Sequence, residues 1–221
     1  MEMTDNSKYL KSDFFVNTES KNIKRFVAGT VDESDDEITK ATKLYYAVRD
    51  GFYYDPYFLD FKQDSLRSNY LLSRRKAYCV EKAIILTAVY RAAGLPARLG
   101  FANVKNHIGT EKLEQFLGTN LLVFHGYTEV YLNEKWVKAT PAFNKELCQK
   151  LNVEPLDFDG LSDSVFQEYN KKGNKYMEYV HDYGTFEDLP YDLFVSELRA
   201  NYPSLFKSDF YDKKNNTVFF R

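Results

Sequence analysis

Cysteine is scarce: Cys79 and Cys148 are the two in 221 residues. Two thiols make no disulfide framework, so a reducing compartment with both thiols free is the expectation. The three histidines, His107, His125 and His181, are scattered, and no HExxH or CxxC occurs. No metal site is therefore expected. No apolar run approaches the roughly 20 residues of a membrane span. The opening MEMTDNSKYLKSDFF has no apolar stretch fit for a secretory leader. Charge of one sign is missing too, with 30 basic against 32 acidic residues. Nucleic acid, which calls for a clustered basic excess, is not an expected partner, and neither is a membrane. A Gly-rich phosphate loop and G-x-S-x-G are absent, which disfavours nucleotide chemistry and that type of serine hydrolase. No cofactor is expected, and the expected location is cytoplasmic. The oligomeric state is not legible.

What the chain does have is rings: 18 Tyr and 18 Phe, in a composition that is 44% hydrophobic and 28% charged. That is a globular composition with bulky side chains for a core or a cleft wall. No repeat, low-complexity segment or Pro/Gly/Ser linker interrupts it. One domain over 1–221 is expected, with a partly ordered N-terminal arm over 1–20.

SDDEITKATKLYYAVRDG reads as the first helix. Ser34 and Glu37 have capping-box spacing, Ile38, Ala41, Tyr45 and Val48 recur helically, and Gly51 is a stop. AYCVEKAIILTAVYRAAGLPAR, 77–98, is the central stretch. Its apolar residues surround the helical wheel, the pattern of a buried helix. Gly94 and Pro96 end it. ARLGFANV, LLVFHGYTEVYL and KWVKAT then read as strands, the last two joined by a turn at Asn133-Glu134. A short helix over 143–151 and another near LPYDLFVSELRA follow. VFQEY and KYMEYV are strand-like.

Cys79 stands at the front of the buried helix. About half a positive charge at a helix N-terminus favours a thiolate, the form that attacks carbonyl carbon. Arg74, Arg75 and Lys76 lie upstream and read as a solvated charge run. A helix starting at Ser73 would place Cys79 inside and weaken the dipole's effect. A base is also needed. His125 shares a strand face with Tyr127, Glu129 and Tyr131. A two-residue turn pairs Leu132 with Lys135 and brings Thr140 diagonal to His125 on the same face. The Thr140 hydroxyl would then accept the imidazole Nδ1 proton. A three-residue turn would put Thr140 on the opposite face. Taken alone, Cys148 reads as structural and His181 as structural or exposed.

AYCVEKAIILTAVYRAAGLPARLGF followed by HGYTEVYLNEKWVKATP resembles the transglutaminase-like superfamily of cysteine enzymes, with the core match over about 34–144 and 145–221 as an extension of the same domain. The resemblance implies an α+β fold with a papain-like core, a central buried helix packed on an antiparallel β-sheet. It implies Cys79 as nucleophile and His125 as base, with Thr140 at the third position, where the family usually has aspartate. Ala77 departs from a common glycine. Papain-like proteases use a neutral asparagine at the third position, so charge there is not indispensable. Asp157 or Asp159 is an alternative acid. Trp136 would be scaffolding. Tyr78, His107 and Tyr127 are candidate substrate contacts.

The implied chemistry is acyl transfer through a thioester on a peptide, protein or small amide substrate. Hydrolysis is favoured over transamidation, because the chain shows no counterpart of the extra domains of crosslinking transglutaminases. The alternatives are a catalytically inactive binding or scaffold module and a small-molecule acyltransferase.

Overall fold

The computed structural model describes residues 6–107, 111–166, 173–207 and 211–219. A 3-10 turn over Ser7–Leu10 leads to α1 (Lys21–Ala28) and α2 (Glu37–Gly51). Short strands β1 (Tyr53–Tyr54) and β2 (Phe58–Asp60), a second 3-10 turn over Gln63–Leu66, α3 (Ser68–Leu71) and β3 (Lys76–Ala77) precede the central helix α4 (Cys79–Ala92). Then come β4 (Ala97–Asn106), α5 (Glu111–Leu117), β5 (Leu121–Leu132), β6 (Lys135–Ala139) and α6 (Lys145–Leu151). The chain continues with β7 (Met177–Phe186), α7 (Tyr191–Asn201), α8 (Pro203–Lys207), β8 (Tyr211–Asp212) and β9 (Thr217–Phe219). No helix among the described residues is long and apolar enough to cross a membrane.

This is an α+β fold. The main sheet runs β6-β5-β4-β7 with every neighbour antiparallel. All residues of α4 from Cys79 to Arg91 are buried, as its all-round apolar wheel requires. The helix closes where expected: Gly94 takes φ +83°, and Leu95 N–H bonds back to the Tyr90 carbonyl at 2.9 Å. α4 lies on one face of β5. Thr128 Oγ1 donates to the Ala83 carbonyl at 3.1 Å and shares a 3.0 Å bond with Thr87 Oγ1.

The polar interruptions in α4 are tethers. Lys82 Nζ donates to the carbonyls of Arg49 (2.7 Å), Phe52 (3.0 Å) and Ala142 (2.9 Å), tying the end of α2 and the segment after β6 to the helix. Burial pulls this ammonium's pKa down to about 7, while the three carbonyl acceptors call for all three protons of the charged form. Arg91 bonds the Ala97 and Lys11 carbonyls, both at 2.8 Å. The segment before α1 is packed down: Val16 has no exposure, and Asp188 accepts the N–H groups of Phe15 and Val16 at 3.0 and 2.9 Å.

The β5–β6 turn has two residues. Asn133 and Glu134 take φ +48° and +62°, the left-handed pair of a tight hairpin, and Leu132 pairs with Lys135. Two local expectations are corrected. The cap of α2 is Asp36, whose carboxylate accepts Thr39 N–H at 2.7 Å, because the helix begins at Glu37, too far on for Ser34. VFQEY falls partly outside the described residues, and its described part, Val165 and Phe166, is not strand.

Candidate active site

Helix α4 begins at Cys79, with Tyr78 as an extended N-cap residue at φ −96° and ψ −179°. Tyr78 has no capping side chain of its own. Glu81 does that work from the first turn: its Oε2 accepts Tyr78 N–H at 3.1 Å, and its Oε1 accepts from Arg74 at 2.6 Å. Arg74 is thus not a solvated charge but the partner of a fully buried carboxylate. Burial pushes the Glu81 carboxyl up to about 7 against the downward pull of Arg74. Lys76 pairs with Asp55 at 2.9 Å in a mostly exposed bridge.

The Cys79 side chain is 8% exposed. Burial pushes its thiol up to about 11. Opposing that are the backbone N–H groups of Gly126 and Val80, the Tyr54 hydroxyl and the N–H of Cys79 itself, each of which pulls it down. The same burial, with the thiol beside it, raises the Tyr54 hydroxyl well above its ordinary range. Nothing at Tyr54 in YYDPYF marked it as a neighbour of the thiol. Gly126 did carry a signal, since glycine inside a strand marks a close backbone approach. Its own Cβ would lie 2.9 Å from Val80 Cα and 3.2 Å from the Cys79 carbonyl oxygen.

His125 precedes Gly126 on β5, so the structure brings the His125 backbone beside the start of α4. The imidazole is 1% exposed and packs against Phe166, with ring centroids 5.2 Å apart. Neither ring nitrogen has a hydrogen-bond partner, and neither has Thr140 Oγ1. The expected bond from Nδ1 to Thr140 is therefore not made, although the hairpin register matches the two-residue turn. No sulfur–imidazole hydrogen bond is made either. Burial alone lowers the imidazole pKa to about 4, so this arrangement holds a neutral thiol and a neutral ring. The alternative acids are occupied elsewhere. Asp157 accepts from Arg49 at 3.1 Å, and Asp159 accepts the N–H groups of Leu161 and Ser162, both at 2.8 Å.

The remaining candidates divide by place. Tyr78 and Tyr54 line a cavity of about 40 Å³ beside Cys79, with Leu59, Leu122, Leu198 and Tyr202. Tyr127 lies on the sheet face away from α4, over Gly100, where a Cβ would meet its ring at 2.2 Å. It lines a separate groove of about 350 Å³ with Lys138, Asp163, Tyr179 and His181. His107 is at the end of β4, its Nε2 3.1 Å from Glu178, and lines neither space. Trp136 packs edge-on to Tyr9 at 5.0 Å, beneath the Arg98 guanidinium. Cys148 is buried in α6 with its thiol pushed up to about 11. Among the described residues no group of three or more His, Cys, Asp or Glu is placed to hold a metal ion.

No curated protein matches the sequence. A solved structure described as that of a candidate cysteine protease from Cytophaga hutchinsonii shares 11% identity over 83% of this chain and 55% of its own, at a TM-score of 0.47. A second, described as a candidate protease from Parabacteroides distasonis, shares 15% over 61% of this chain and 26% of its own, at a TM-score of 0.40. The chain thus spans about half the length of the first and about a quarter of the second. Residues 24–141, more than half of the sequence and including Cys79, His125 and Thr140, match the model of the transglutaminase-like superfamily, and the chain belongs to that family.

Proposed function

We propose that this protein is a cysteine-dependent acyl-transfer enzyme that cleaves an amide through a thioester on Cys79. The observation that carries the reading is the place of Cys79 at the N-terminus of a buried helix, with the Gly126 backbone against the first turn and Tyr54 beside the thiol in one cavity. Donors placed there favour negative charge, first on the sulfur and then on the oxyanion of a tetrahedral intermediate. The Tyr54 hydroxyl adds a side-chain donor to the same point.

In the proposed cycle His125 takes the thiol proton as sulfur attacks the acyl carbonyl. The imidazolium then protonates the leaving amine, and a thioester remains on Cys79. His125 next deprotonates a water, which hydrolyses the thioester and restores the thiol. The ring makes no hydrogen bond to the sulfur at rest, so the cycle requires a rearrangement at the start of β5 that brings the two together.

The test uses p-nitrophenyl acetate and peptidyl p-nitroanilides with the full chain. Turnover is expected, with an acyl adduct on Cys79 seen by mass spectrometry, and its loss in Cys79→Ala and His125→Ala. A second reading, a module with no activity, is favoured by Thr140, whose hydroxyl meets nothing. No adduct and no turnover with any of these probes would select that reading.

A further inference from the structure

The cavity beside Cys79 is not built by the family-matched segment alone. Its floor is the start of α4 and the Tyr54–Leu59 segment, and one wall is the beginning of β5. Its roof is Phe194 and Leu198 of α7 together with Tyr202, all beyond residue 141, where the family match ends. These three are 0%, 3% and 3% exposed, so the roof is packed into the fold. Tyr202 is fixed by its hydroxyl, which accepts Val123 N–H and donates to the Leu121 carbonyl, both at 2.6 Å. Those bonds occupy the strand just before Phe124, whose φ of +58° belongs to the irregularity that precedes His125.

The chemistry of the lining is one-sided. Tyr54, Leu59, Leu122, Phe194 and Leu198 dominate it, and it contains no Asp, Glu, Lys, Arg or His. The open space is small, about 40 Å³. A charged group moved into such a space loses its hydration and finds no counter-ion. A short apolar group loses nothing and gains contact.

Resting on the acyl-transfer reading above, we propose that this cavity is the acyl pocket, that it selects a short, uncharged, apolar acyl group, and that Leu198 sets the length it admits. Phe194 and Tyr202 hold Leu198's side of the roof in place. Selection on the acyl side is thus written in α7, outside the part of the chain that carries Cys79 and His125.

The experiment reads the pocket without needing turnover. The full chain is treated with ethyl, benzyl, 2-sulfonatoethyl and 2-(trimethylammonio)ethyl methanethiosulfonate. Each forms a mixed disulfide as the Cys79 thiolate attacks the reagent's divalent sulfur, the S–SO2 bond breaks and methanesulfinate leaves. Rates at Cys79 are followed by peptide mass mapping and normalised to the same thiol in the urea-unfolded chain. The ethyl reagent is expected to react about a hundredfold or more faster than either charged reagent. Leu198→Ala is expected to speed the benzyl reagent at least about tenfold, the scale of a change of a few methylenes in an apolar pocket. Equal normalised rates for neutral and charged reagents in the wild-type chain would overturn the proposal, as would failure of the ethyl reagent to reach Cys79 in the folded protein. Discrimination by charge without any ester turnover would support the pocket and overturn the catalytic reading instead.

Discussion

Gly126 meets the first turn of α4 so closely that a methyl group on it would stand 2.9 Å from Val80 Cα and 3.2 Å from Ala83 Cβ. Two of its contacts are backbone atoms of the helix, which cannot swing aside. Gly126→Ala must therefore lift the helix start from the strand. A cost of about 1–3 kcal/mol is expected for such overpacking, read as a fall in Tm. Lifting the helix start would also shift the Cys79 sulfur. The variant should lose ester turnover by more than its loss of folded fraction explains. Full stability and activity in Gly126→Ala would contradict the close approach.

The resting thiol should behave as an ordinary buried one. With its pKa near 11, thiolate at Cys79 accumulates only as pH climbs toward that value. Alkylation of the substrate-free protein by iodoacetamide should rise about tenfold per pH unit from 7 to 10. His125→Ala should leave that curve unchanged, because the ring makes no bond to the sulfur at rest. A reactive plateau between pH 5 and 8, removed by His125→Ala, would show a standing thiolate–imidazolium pair and refute the neutral arrangement.

Much of this geometry was legible because it is local. The run 121–132 is rich enough in aliphatic and aromatic residues to give β5 at its full length, and Asn133-Glu134 announces its own turn. The helix wheel at 79–92 declares burial by having no polar face. What escaped depends on distant partners. Strand β2 pairs with β9, Phe58 with Phe219, across most of the chain, and segments that short carry no periodicity. Glu81 and Lys82 read as mere interruptions, since their meanings lie in Arg74 and in three carbonyls. Register put Thr140 on the face of His125, yet register says nothing of rotamer, and the Thr140 hydroxyl meets no ring nitrogen. The roof over Cys79 comes from α7, which sequence reading placed as a helix without a destination.

Glu81 makes stability depend on pH at the mouth of α4. Its folded pKa, about 7, stands above its ordinary value of 4.5. A carboxyl raised on folding favours the native state most when protonated. That contribution is complete below about 4.5 and is lost as pH rises through about 7. Glu81→Gln removes the titration while keeping an acceptor for Tyr78 N–H. The wild type should therefore lose stability relative to Glu81→Gln between pH 4.5 and 7, by at most about 3 kcal/mol. Urea unfolding of both proteins across that range is the measurement. A gap that widens in the opposite direction would mean that the 2.6 Å pairing with Arg74 outweighs burial.

Thr140→Asp tests whether the neutral third position limits catalysis. Thr140 is 1% exposed, and its hydroxyl and both His125 nitrogens lack hydrogen-bond partners. A carboxylate at 140 would be buried unpaired unless it met the imidazole, so its desolvation drives the two together. Opposite charge favours imidazolium, and the His125 pKa should rise from about 4 to above 6. With three histidines in the chain, NMR titration can follow the ring directly. A ring oriented and charged in this way is a better acid for the leaving amine, so p-nitroanilide turnover should rise by about tenfold or more. The variant should be most stable where carboxylate and imidazolium coexist, and should weaken as pH climbs past the new His125 pKa. A folded Thr140→Asp protein with the His125 pKa still near 4 would place the two side chains out of reach of each other, and would remove Thr140 from the proposed site.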